Sequence, residues 1–123
     1  MARTVLELTA EQLRAYRPGR REDERQDAER WERAWEVART AASLLCERLG
    51  ASRVVVFGSL AQRAWFTPWS DIDLAAWGIS PDAFYRAVAI VTGISPEFEV
   101  DLVAPEDCLP ALRQVIEREG VEL

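Results

Sequence analysis

Two aspartates, Asp71 and Asp73, stand one residue apart in the run Asp71-Ile72-Asp73-Leu74-Ala75-Ala76-Trp77. In an extended strand successive side chains alternate, so both carboxylates leave one face, roughly 6–7 Å apart along the chain, while Ile72, Leu74 and Ala76 leave the other. Two like charges this close at the mouth of an apolar strand repel, and without a counter-charge at least one should stay protonated. A divalent cation removes that conflict. The run Phe98-Glu99-Val100-Asp101-Leu102-Val103 repeats the design, with Asp101 on the face opposite Phe98, Val100 and Leu102. If the two strands are neighbours, Asp101 joins the pair, and the three form a hard-oxygen set suited to Mg2+ or Mn2+. Such a set can hold two ions about 3.5–4 Å apart, the spacing used for in-line phosphoryl chemistry.

Gly58-Ser59 supplies a complementary half, following the β-branched run Arg53-Val54-Val55-Val56-Phe57 and separated from Asp71 by eleven residues. Glycine lets a phosphate approach the backbone, the Ser59 hydroxyl can donate a hydrogen bond, and a helix starting near Leu60 would add free amides and a positive dipole end. Either half alone is a common turn or strand-edge feature; their order along the chain makes them specific.

Composition narrows the chemistry further. All 15 basic residues are arginine, and histidine is absent. That excludes an imidazole base, a serine triad and an imidazole zinc site, so catalysis must rest on carboxylates, arginines, hydroxyls, thiols and metals. The net charge of −6 and the lack of a basic stripe argue against direct nucleic-acid binding. Cys46 and Cys108 form no C-x-x-C pair and read as buried free thiols. No apolar run is long enough to cross a membrane and the start lacks a secretory signal, which predicts a cytoplasmic protein.

The elements that must position these residues can be read in order. The 123-residue chain suits one domain, divided here into an N-terminal helical segment, residues 1–22, and a main domain, 23–123. Thr9 and Gln12 have capping-box spacing for a short helix that Pro18-Gly19 stops. The charge run Arg20–Asp27 is a solvated linker or a helix start. A long helix then reaches Leu49, with Trp31, Trp35, Ala38, Ala42, Leu45 and Leu49 on one face. The two tryptophans read as core, although the stripe could also serve an oligomer. Strands follow at 53–57, 71–77 and 98–103. A helix capped by Ser80 begins at Pro81, and a last helix begins at Pro105, with Leu109, Leu112 and Ile116 on one face. The fold class is α/β, a small mixed sheet packed by helices.

Val54-Val55-Val56-Phe57-Gly58-Ser59 together with Phe66-Thr67-Pro68-Trp69-Ser70-Asp71-Ile72-Asp73-Leu74 resembles the signature of the DNA polymerase β-type nucleotidyltransferase superfamily, and within it the minimal nucleotidyltransferase (MNT) group. The likeness runs from about Gly50 to Val103. It implies a nucleotidyltransferase fold in which Gly58 and Ser59 bind nucleotide phosphates and Asp71 and Asp73 hold Mg2+ or Mn2+. Asp101 would be the third carboxylate, helping to deprotonate an acceptor hydroxyl. Where relatives carry an Arg-Gly pair this chain has Gln62-Arg63-Ala64, which leaves Arg63 as a candidate phosphate contact.

The implied reaction moves a nucleoside monophosphate, with ATP as the substrate, onto a hydroxyl. MNT-like proteins are often encoded with HEPN proteins, as antitoxin and toxin, so the resemblance implies an antitoxin that adenylylates a tyrosine of a HEPN-type partner. Trp65 and Trp69, beside the site, are candidates for touching such a partner. Two rival readings are a transferase acting on a small antibiotic-type molecule and a binding antitoxin without catalysis.

Overall fold

Alanine at four buried positions of a 30-residue helix sets how closely the sheet is covered. The structure, a computed structural model, describes residues 20–123; the expected helix around Thr9–Gln12 lies outside the described residues. Helix α1 (Arg20–Leu49) presents Ala34, Ala38, Ala41, Ala42, Leu45 and Leu49 to the core. This is the three-to-four spacing of one helical face. Trp31 and Trp35 pack against that core and edge to face on each other, ring centroids 5.9 Å apart. The buried residues of the apolar stripe are therefore packed inside the domain, with Trp31 and Trp35 only partly covered. The charge run Arg20–Asp27 is the start of the helix rather than a linker. Gly50, at φ +78°, ends α1, and the Ala51 N–H closes back on the Leu45 carbonyl at 3.0 Å.

Strand β1 (Arg53–Phe57) runs antiparallel to β2 (Ile72–Trp77), which runs parallel to β3 (Val100–Val103). Helix α2 (Pro81–Thr92) makes the crossover between β2 and β3. Helix α3 (Pro110–Glu119) leads to a two-residue strand β4 (Val121–Glu122) on the far side of β1. The sheet order is β3-β2-β1-β4, a small mixed sheet with helices on both faces. The expected α/β class is the observed one. Among the described residues no helix is long and apolar enough to cross a membrane.

Four expectations need correction. The helix expected from Leu60 is instead two single 3-10 turns, Gly58–Leu60 and Arg63–Trp65. Leu60 is pinned in the core and Pro68 closes the segment, leaving too few residues to repay an α-helical nucleus. The last helix begins at Pro110 rather than Pro105. Pro110 has no N–H to give the Glu106 carbonyl, so a helix begun at Pro105 cannot run through it. Pro105–Asp107 forms a separate 3-10 turn, and Leu109 sits exposed at the helix boundary. Ser80 occupies the N-cap of α2 but makes no side-chain capping bond; its carbonyl accepts the Ala83 N–H at 3.0 Å. Finally, Cys46 is exposed and Cys108 only partly buried, though both are free thiols.

The two faces of the sheet are covered unequally. Val54, Val56, Ile72, Leu74, Val100 and Leu102 lie in the core with the buried faces of α1 and α2. On the other face Val55, Phe57, Ala75 and Ile116 form a smaller core, with Leu112 and Val103 at its margin. Ile116, 1% exposed, is the one fully buried residue that α3 contributes. Ile116→Ala is expected to cost about 2–4 kcal/mol, read as a drop in the urea midpoint at unchanged m-value. A cost below about 1 kcal/mol would mean that α3 does not close this face.

Candidate active site

Cross-strand register builds the site in rows. Val55 on β1 pairs with Ala75 on β2, which pairs with Val103 on β3. This row borders the Ile116 core under α3. The next row on the same face is Phe57, Asp73, Asp101. The parallel β2–β3 pairing thus makes Asp73 and Asp101 direct neighbours, as expected if the strands were adjacent. Asp71 lies one residue before β2, and its alternation with Asp73 puts both on this face. Asp71 and Asp73 are half-buried and Asp101 is exposed.

Among the described residues none of the three aspartates is in an ion pair. Asp73 shows the consequence: its carboxyl is pushed up to about 6, first by burial and then by the neighbouring charges of Asp101 and Asp71. Uncompensated carboxylates facing one another fit a divalent cation, and the donor set of hard oxygens fits Mg2+ or Mn2+. The side chains are not drawn in around a single point: among the described residues no three acidic or thiol groups stand as a ready-made metal cage.

The Gly58-Ser59 turn adjoins this row directly. Gly58 follows Phe57, the register partner of Asp73, and has φ +72°. A Cβ placed on Gly58 would run into the Asp73 carboxylate. Glycine is therefore required twice, for the left-handed backbone and for the close approach of turn to carboxylate. Ser59 is half-buried, and its carbonyl accepts the Gln62 N–H at 3.1 Å. The single 3-10 turn supplies no α-helical dipole, so phosphate binding here would rest on local amides and the Ser59 hydroxyl. Arg63 is exposed, and its guanidinium lies over the Trp31 ring, 5.2 Å from the centroid, rather than against an aspartate.

Two ties missed by sequence reasoning hold the segments around the aspartates. Trp31 Nε1 donates to the Leu60 carbonyl at 3.3 Å, and an Arg30 amino group donates to the Pro68 carbonyl at 3.0 Å. These partners are 29 and 38 residues apart in sequence, so no local pattern announces them. Trp65 and Trp69 are 62% and 87% exposed beside the same loop. A separate cavity of about 400 Å³, lined by Phe84, Tyr85, Leu102, Asp107 and Cys108 among others, includes none of Asp71, Asp73 and Asp101. Asp73 and Asp101 lie in the register row on the open sheet face instead.

No protein-family model matches the sequence, and no curated protein matches it. Solved structures do. A minimal nucleotidyltransferase is similar at 30% identity over 76% of this chain and 95% of its own, with a TM-score of 0.61. A toxin–antitoxin with AMP-PNP is 22% identical over 66% of this chain and 67% of its own, TM-score 0.55. The toxin–antitoxin MntA–HepT is 18% identical over 72% and 69%, TM-score 0.54. The last two share the fold. The first is matched over nearly its whole length at 30% identity, and on that ground the chain belongs to the minimal nucleotidyltransferase family.

Proposed function

We propose that this chain moves AMP from ATP onto a hydroxyl acceptor, a tyrosine of a HEPN-type partner toxin, and so acts as a cytoplasmic antitoxin. The observation that carries the reading is the open row Phe57–Asp73–Asp101, with Gly58 set against Asp73 so closely that no side chain fits between them. Fold neighbours named as toxin–antitoxin structures, one with AMP-PNP, support a toxin partner and a nucleotide. Residues 23–123 would form the transferase domain and residues 1–22 an N-terminal segment.

Asp71, Asp73 and Asp101 would hold Mg2+ or Mn2+, which when bound neutralises phosphate charge and acidifies the acceptor hydroxyl. Gly58 leaves the backbone bare, so a triphosphate can lie along the turn, and the Ser59 hydroxyl donates to it. Asp101, the most open of the three, would accept the acceptor's proton and pass it to solvent. The acceptor oxygen forms a bond to the α-phosphorus, the bond to the β-phosphate oxygen breaks, and pyrophosphate leaves. Trp65 and Trp69, exposed in the segment that leads into Asp71, would contact the partner.

The test is intact-mass analysis of the HEPN-type partner after incubation with this chain, ATP and Mg2+. The mass should rise by one or more AMP units, and should not rise with the Asp71→Ala, Asp73→Ala protein. A stable complex with no increase for any NTP would sink the transfer reading in favour of an antitoxin that acts by binding.

A further inference from the structure

We propose that Arg30 is a positioning residue that sets Asp71 and Asp101 relative to each other by gripping the two segments that lead into them; this rests on the metal-dependent reading above. The guanidinium stands at the junction of both leads. One amino group donates to the Pro68 carbonyl at 3.0 Å, three residues before Asp71. The guanidinium carbon lies 5.3 Å from the centroid of the Phe98 ring, three residues before Asp101. Phe98 in turn packs against Phe66, with ring centroids 6.4 Å apart, which joins the two leads to each other.

The turn held by Arg30 is stiff enough to transmit position. Ser70 N–H donates to the Thr67 carbonyl at 3.0 Å, Thr67 N–H donates to Ser70 Oγ at 2.8 Å, and Trp69 N–H donates to Thr67 Oγ1 at 3.2 Å. A turn closed on itself in this way moves as a unit, so a hold on the Pro68 carbonyl is a hold on Asp71. On the other lead, Ile72 N–H donates to the Glu99 carbonyl at 2.9 Å, locking the start of β2 to the start of β3.

The ion pair that Arg30 makes with Glu97 is the looser of two and does not by itself fix the guanidinium. Glu97 is already taken by Arg33 in a two-pronged pair, 2.9 and 2.7 Å, and its carboxyl is held below the usual range by that bond. Arg30 reaches Glu97 only at 3.6 Å. Its Nε is buried without a partner, an unfavourable state that a side chain of this length would leave by swinging outward if nothing held it. The hold is the carbonyl bond together with the ring face, a combination that suits a planar guanidinium and that a lysine ammonium cannot reproduce in full.

The experiment measures Mn2+ binding directly, by the loss of the free-ion EPR signal, on the full chain and on the Arg30→Lys, Arg30→Met and Asp71→Asn proteins. Melting curves of each separate misfolding from misplacement. Wild type should bind, Asp71→Asn should bind far more weakly, and Arg30→Met should weaken binding about tenfold, the low end for groups that orient metal ligands from outside the coordination shell. Arg30→Lys should recover part of that loss. Amide NMR shifts at Ser70, Asp71 and Asp101 should move in both Arg30 variants. If the variants melt lower but bind Mn2+ as wild type does, Arg30 is a fold staple only and the proposal is overturned, while the metal reading stands. If wild type binds no better than Asp71→Asn, the metal reading fails and the Arg30 proposal with it.

Discussion

Asp73→Asn should abolish nucleotide transfer and at the same time make the metal-free protein harder to melt. The loss follows from removing a half-buried carboxylate, the central one of the three that would hold the cation. A bound cation provides several kcal/mol of charge stabilisation, so its loss is worth about 10³-fold in rate. The gain in stability follows from the same burial. Asp73 titrates at about 6 against an ordinary value of 3.8, because the fold desolvates it and places Asp101 and Asp71 beside it. Taken whole, a shift of that size is about 3 kcal/mol of cost at neutral pH. Asp73 is only half-buried, so solvent screening leaves about 1–2 kcal/mol. That corresponds to a rise of about 4–12 °C in melting temperature for Asp73→Asn.

The sign of the pH dependence is set by which state binds more protons. Between about 4 and 6 the folded chain holds the Asp73 proton more tightly than the unfolded chain, so stability falls as pH rises through that window. Above it both states are ionised and the cost is constant; below it both are protonated and the cost vanishes. The difference between wild type and Asp73→Asn should therefore be full at pH 7.5 and nearly closed at pH 4, measured with EDTA present. Glu97, held low chiefly by its hydrogen bond to Arg33, loses that pairing in acid in both proteins, so the comparison cancels it. Mg2+ should raise the melting temperature of wild type at pH 7.5 and leave the variant unmoved. An Asp73→Asn protein no more stable than wild type at pH 7.5 would show that the carboxylate charge is already compensated.

How much of this could be read in advance depended on the range of the interaction. Arg53–Phe57 is found as the expected strand because five β-branched, aromatic and basic residues end abruptly at a glycine. The Asp71/Asp73 alternation needs only a strand period of two, and Asp101 follows once β2 and β3 are neighbours, which a helical crossover at Pro81 makes the natural arrangement. What stayed hidden is non-local or too short to carry a pattern. Strand β4 is two exposed residues whose place is set by pairing with Val55 and Val56. The start of α3 was set by Pro110, whose missing N–H breaks any helix begun at Pro105. The Arg30–Pro68 and Trp31–Leu60 ties depend on α1 lying across loops some 30 to 40 residues away. The exposure of Cys46 was missed because it lies next in sequence to buried Leu45 but turns off the buried stripe.

Gly58→Ala is expected to damage both the fold and the site. Its φ of +72° lies in the left-handed region, which costs an alanine about 1–2 kcal/mol. The added Cβ also meets the Asp73 carboxylate, and overpacking of this kind costs about 1–3 kcal/mol more. Together they should lower the melting temperature by about 10–25 °C. Transfer activity should fall further than stability explains, because the cheapest relief is for Asp73 to rotate away from its row, out of reach of Asp101. The two contributions separate in a double-mutant cycle. Asp73→Ala removes the obstructing carboxylate but leaves the backbone strain, so Gly58→Ala should cost about 1–2 kcal/mol in that background and clearly more in wild type. Gly50→Ala is the control, since Gly50 has φ +78° and no atom within 4 Å of an added Cβ. It should show the strain alone and leave transfer intact. Equal costs for Gly58→Ala in both backgrounds would mean that the turn and Asp73 are independent, and the site would lose the contact on which the proposed phosphate cradle depends.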